Sequence, residues 1–156
     1  MVSTVTVELI ERLAHRGLTV AVAESLTGGL LCAALTEVPG ASAAVRGGVV
    51  AYATDLKASL LGVSEELLAT HGAVDADVAL QMATGVASQL GADIGLSTTG
   101  VAGPELQDGK AVGTVFIACV CGEKRLVEEL SLSGTRNEIR SLTVHAALRM
   151  LASVVS

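Results

Sequence analysis

A chain of 156 residues with a formal charge of −6 has no net basic field to attract a phosphate backbone, which excludes a nucleic-acid surface. Hydrophobic residues make up 51% of it, yet no apolar run approaches the roughly 20 residues of a membrane span, so the composition predicts one domain, 1–156, with a dense core. The acidic residues within the apolar pattern of residues 1–17 argue against a signal peptide, and three ill-spaced cysteines read as reduced core thiols of a cytoplasmic protein, with no disulfide framework and no metal site.

Val5, Leu9, Ile10 and Leu13 share one helical face, predicting a helix from about Thr4 to Arg16 that ends at Gly17. Thr19 to Ala23 alternates β-branched and small apolar residues and reads as a buried strand. It breaks into Glu24-Ser25-Leu26-Thr27-Gly28-Gly29, and Leu30, Leu31, Ala34 and Leu35 then continue a helix from Thr27 to about Thr36. After a Pro39-Gly40 turn, Arg46-Gly47-Gly48 leads into a second strand over Val49–Ala53. Thr54-Asp55 can cap a short helix that Gly62 stops, Ser64 caps another helical turn, and Asp75-Ala76-Asp77 opens a long helix to about Leu90. Gly91 to Thr99 is a third strand, followed by the Gly100–Pro104 loop, two strands in hairpin order over Val112–Val120 and Leu126–Leu132, and a last helix from Thr135 to about Val154. Helices alternating with strands, closed by a hairpin, predict a three-layer α/β/α sandwich with a mixed, mainly parallel sheet and an antiparallel hairpin near the C-terminus.

The strand-to-helix turn at Ser25 is the first chemical candidate. Such a turn gathers backbone N–H groups and hydroxyls at a sheet edge facing a helix N-terminus, where open α/β folds bind anions. A serine there can be a nucleophile beside an oxyanion hole, although capping by Ser25 or Thr27 is the commoner role for a hydroxyl in this context. A nucleophile needs a base, and His15, His71 and His145 all stand in ordinary helix or turn contexts. Lys57, five residues beyond Tyr52, reaches the same edge if the second strand neighbours the first; partly buried it becomes a general base, whereas a snorkelling surface lysine is the commoner case. Thr98-Thr99-Gly100 ends another strand with hydroxyls. Thr135 and Glu138 form a capping-box pattern that sets Arg136 and Arg140 on one face at a helix N-terminus, as a phosphate clamp or as an exposed pair.

These motifs in order resemble the CinA C-terminal domain family, which includes stand-alone nicotinamide-nucleotide amidohydrolases (PncC). The resemblance is carried by Ala23-Glu24-Ser25-Leu26-Thr27-Gly28-Gly29, Gly47-Gly48-Val49-Val50-Ala51-Tyr52 and Lys57-x-x-Leu60-Leu61-Gly62-Val63, then by Thr99-Gly100-Val101-Ala102-Gly103-Pro104 and Val112-Gly113-Thr114-Val115. It spans nearly the whole chain from Val5. It implies hydrolysis of the carboxamide of nicotinamide mononucleotide to nicotinic acid mononucleotide and ammonia, without metal or cofactor, in a homodimer or larger homo-oligomer. It further implies Ser25 as nucleophile, Lys57 as its base and Tyr52 as a hydrogen-bonding support. Thr27, Gly28, Gly29, Thr99 and Gly100 would line the amide and oxyanion region, and Arg136 or Arg140 would meet the phosphate. The alternative is a catalytically silent nucleotide-binding or regulatory module. The chain departs from the family pattern at Val45, at Thr54 and across Glu105–Ala111, where a glycine-rich segment and a proline are usual.

Overall fold

The computed structural model describes residues 2–156. Helix α1 (Thr4–Arg16) precedes strand β1 (Val20–Glu24), and α2 (Leu30–Thr36) leads through a 3-10 turn at Ala41–Ala43 to β2 (Val45–Val50). Helices α3 (Thr54–Leu61), α4 (Glu65–His71) and α5 (Ala76–Leu90) follow, then β3 (Ile94–Gly100), the hairpin strands β4 (Thr114–Cys121) and β5 (Lys124–Ser131), and α6 (Arg136–Val155). The sheet order is β2-β1-β3-β4-β5. Strand β1 pairs in parallel with β2 and β3, while β4 is antiparallel to both β3 and β5. Four of the five strands therefore run one way and only β4 is reversed, the expected mixed sheet.

Period-two alternation explains how this sheet is covered. Val20 and Val22 of β1, Ile94 and Leu96 of β3, and Ile117 and Cys119 of β4 face α1, α2 and α6 in one apolar cluster. Ala21 and Ala23 point the other way, towards Leu61 of α3, Leu68 of α4, and Val78, Met82 and Val86 of α5. Each buried Leu, Ile or Val side chain contributes about 2 kcal/mol. The small residues on the second face let α5 lie close. A Cβ on Gly85 would overlap the Leu61 carbonyl oxygen, so the end of α3 is seated directly on α5, and Lys57 rides on α3.

Several boundaries differ from expectation for physical reasons. Strand β2 starts at Val45 and closes at Val50, because Val45, Gly47 and Gly48 pair with β1, with Arg46 bulged out between them, instead of forming a lead-in loop. Helix α2 starts at Leu30, not at Thr27, because Gly28 and Gly29 adopt φ of 54° and 106°, a left-handed turn no helix tolerates. Strand β5 likewise begins at Lys124, pairing with Cys121 across a tight turn. The Ser64 cap and the Thr135–Glu138 capping box form as read.

Candidate active site

Parallel pairing of β1 with β2 and β3 brings their C-terminal ends to one edge. Ser25 follows directly on β1 and is fixed by its amide, which donates to the Thr98 carbonyl at 3.1 Å. From β2 the chain turns back so that α3 points Lys57 under that edge. Its ammonium carbon stem is packed away entirely; Lys57 is 1% exposed and Ser25 7%. The Nζ atom lies 2.9 Å from Ser25 Oγ, 2.8 Å from the Ala51 carbonyl oxygen and 3.3 Å from the Tyr52 carbonyl oxygen.

That neighbourhood serves an amine in both of its states. Protonated, Lys57 donates its three N–H groups to Ser25 Oγ and the two carbonyls. Neutral, it still donates two N–H groups to the carbonyls, and its lone pair is left facing the Ser25 hydroxyl, which then donates. Burial disfavours the charged form and pulls the Lys57 pKa down to about 8, opposed by the Asp108 carboxylate. At pH 7.5 roughly a quarter of the amine is then neutral and ready to accept a proton, against about one part in a thousand for an ordinary lysine.

Ser25 opens onto a cleft of about 550 Å³. Its walls are Leu26, Tyr52–Thr54, the Gly100–Gln107 segment and Arg136. The amides of Leu26 and Thr27, immediately after Ser25, have no acceptor among the described residues. Leu26 lines the cleft, whereas Thr27 is buried; a free N–H donor beside a nucleophile is what a developing oxyanion requires.

The two arginines at the start of α6 separate here. Arg136 lines the cleft, donating through NH1 to the Gly103 carbonyl and through NH2 to the Tyr52 hydroxyl at 3.0 Å. Arg140 instead braces the nucleophile turn from behind: its Nε donates to the Leu26 carbonyl at 2.8 Å. A Cβ on Gly28 would come within 3.2 Å of the Arg140 guanidinium. Tyr52 supports Lys57 through its main-chain carbonyl, while its hydroxyl is committed to Arg136. Thr27 and Thr99, read from sequence as lining the amide region, turn their hydroxyls inward. Thr27 Oγ1 meets Thr98 Oγ1 at 2.8 Å, and Thr99 Oγ1 donates to the Ala73 carbonyl at 2.7 Å. Gly100 lines the cleft, whereas Gly28 and Gly29 shape the turn.

Sequence reasoning missed Glu24. Its side chain is 0% exposed and takes the amides of Gly29, Leu31 and Cys32 at 3.2, 2.9 and 3.0 Å. The N-terminus of α2, expected to receive an external anion, is thus already occupied by a carboxylate of the chain itself. A charged residue closing an otherwise apolar strand just before two glycines was the available signal.

Comparisons with known proteins bear on the family and the fold. The family model for the CinA C-terminal domain matches residues 2–155. A CinA-like protein of Frankia casuarinae is 53% identical over 146 residues, 91% of this chain and 34% of that protein. The Protein MG115 homolog of Mycoplasma pneumoniae is 40% identical over 149 residues, 95% of each chain. Among solved structures, a CinA superfamily protein from Enterobacter cloacae superposes with a TM-score of 0.95 at 34% identity, over 100% of this chain and 93% of that one. The competence/damage inducible protein CihA from Agrobacterium tumefaciens gives 0.91 at 39% identity, over 100% and 99%. The chain spans about a third of the length of the Frankia relative and of several others like it. Among the described residues no helix is long and apolar enough to cross a membrane. On the match over residues 2–155 and these likenesses, the chain belongs to the CinA C-terminal domain family.

Proposed function

We propose that this domain is a serine amidase that hydrolyses the carboxamide of nicotinamide mononucleotide, giving nicotinic acid mononucleotide and ammonia. The observation that carries the reading is the buried Lys57 amine 2.9 Å from the Ser25 hydroxyl at the floor of an open cleft. An amide is a poor electrophile, so attack needs a deprotonated hydroxyl and donors for the oxyanion. Neutral Lys57 takes the Ser25 proton as Oγ bonds to the carboxamide carbon. The oxyanion rests on the amide of Leu26, which lines the cleft. Lys57, now protonated, gives that proton to the departing nitrogen, the C–N bond breaks, and ammonia leaves an acyl-enzyme. Water then attacks the ester with Lys57 again as base, releasing the acid and restoring Ser25. Arg136, on the cleft wall, supports recognition of the phosphate; Arg140, behind the nucleophile turn, lies outside the cleft lining.

The test is ammonia release from nicotinamide mononucleotide by wild type, Ser25→Ala and Lys57→Ala. Wild type is expected to turn over, and each variant to lose at least about a thousandfold in kcat with its fold intact. Binding without release by folded wild type assigns the silent module instead. Release that survives Ser25→Ala removes the mechanism.

A further inference from the structure

The Pro104–Gln107 wall of the cleft belongs to a small hairpin that no part of the chemistry above uses. Gln107 and Lys110 exchange main-chain hydrogen bonds of 3.1 and 2.8 Å. Asp108 and Gly109 between them have φ of 51° and 74°, the paired left-handed residues of a type I′ turn. Asp108 is the one non-glycine residue with positive φ among those described. Its carboxylate does not point to solvent alone: Oδ2 accepts the Ala73 amide at 3.1 Å. The Ala73 carbonyl in turn accepts from the Thr99 hydroxyl at 2.7 Å, so the hairpin is tied through Ala73 to β3. Gly72 makes the approach feasible, since a Cβ there would lie 2.8 Å from the Asp108 side chain.

We propose that Asp108 is a positioning residue that latches the Gln107–Lys110 hairpin to Ala73, holds the Pro104–Gln107 wall of the cleft in place and sets the charge balance of the Ser25–Lys57 pair. The other titratable groups of the region are differently placed. Glu24 is bound to the α2 amides, His71 and Asp75 pair at 3.2 Å, Asp55 lies exposed in the first turn of α3, and Glu105 and Arg136 line the cleft. The faces of α3, α4 and α5 that meet are apolar. Asp108 is the charge that acts on Lys57, holding its pKa above where burial alone would leave it. The proposal rests on Ser25 and Lys57 acting as a pair, not on the identity of the substrate.

The experiment therefore uses no nucleotide. Labelling of Ser25 by a fluorophosphonate is followed against pH in wild type, Asp108→Asn and Asp108→Ala, alongside trypsin cleavage after Lys110. Wild-type labelling is expected to rise with pH through a midpoint near the Lys57 value of about 8. Asp108→Asn keeps an acceptor for Ala73 and loses the charge, so its midpoint moves down by about half a unit while Lys110 stays protected. High salt moves the wild-type midpoint the same way by screening an exposed carboxylate. Asp108→Ala loses the latch, and cleavage after Lys110 speeds up about tenfold, the scale of one charge-assisted hydrogen bond. A merely structural loosening hydrates Lys57 and moves the midpoint up, the opposite direction. A midpoint that stays or rises in Asp108→Asn, or unchanged cleavage in Asp108→Ala, overturns the proposal, as does a wild type that resists labelling at every pH. Wild type that labels with this titration yet releases no ammonia from nicotinamide mononucleotide counts against the proposed substrate alone.

Discussion

Lys57 is held in a place that costs stability when charged. Its pKa falls from 10.5 to about 8 on folding, so burying the protonated amine opposes folding by about 3 kcal/mol at neutral pH. Between pH 8 and 9 the unfolded chain still holds a proton that the folded chain is giving up, and stability rises with pH through that window. The buried Cys119 thiol, pushed up to about 12, acts oppositely: above its ordinary value of about 9 the unfolded thiolate is favoured and stability falls. Subtracting a variant that keeps Cys119 isolates the lysine. From pH 8 to 9 wild type is expected to gain about 1 kcal/mol relative to Lys57→Met, read from urea midpoints. Equal slopes in the two proteins would mean that Lys57 keeps an ordinary pKa, and the base of the proposed mechanism would be lost with it.

At the scale of elements, the turn between β1 and α2 is held from several sides, and Glu24 is the member that binds most groups. Replacing Glu24 with Ala leaves the amides of Gly29, Leu31 and Cys32 without their acceptor at a part-buried helix start. Unfolding by urea at pH 7 is expected to show a loss of about 3 kcal/mol; a loss below about 1 kcal/mol would show that water replaces the carboxylate freely. Ser25 should also label more slowly, because its turn is no longer fixed. This element shows where sequence stops being legible. The strand, the glycine break and the helix after it were readable from periodicity and turn chemistry. The direction of each hydroxyl was not: Thr27 and Thr99 face inward because Thr98 and Ala73 wait there, and those partners are 71 and 26 residues away. Lys57 was equally ambiguous locally. Nothing in its own helix says it is buried; the seating of α3 on α5 through Gly85 does. The ordered motifs of the family pointed to Ser25 and Lys57 where local spacing left them open, but not to which arginine reaches the cleft.

For the molecule as a whole, the proposed substrate raises the question of how a chain of net charge −6 would accept an anionic ligand. Strand direction answers part of it, because the ends of β1, β2 and β3 leave Ser25, Ala51–Tyr52 and Gly100 around one opening. Helix α6 then returns, 84 residues after Tyr52, to place a single guanidinium on the wall of that opening. Long-range repulsion from the surface is screened within about 10 Å at ordinary ionic strength, so this local cation outweighs the net charge. Folding and binding are linked, which makes thermal stability the readout. In the Ser25→Ala background, which cannot turn over, nicotinamide mononucleotide at about a hundredfold its Kd should stabilise by about 2.7 kcal/mol, a rise of several degrees in Tm. Adding Arg136→Ala should abolish that shift, and nicotinamide riboside, which lacks the phosphate, should give little in either protein. Arg140→Ala should instead lower the Tm of the free protein, because it removes the brace on the Leu26 carbonyl, while leaving a ligand-induced rise. If Arg136→Ala keeps the full shift and Arg140→Ala loses it, the phosphate lies behind the nucleophile turn, and the cleft beside Tyr52 is not where the nucleotide binds.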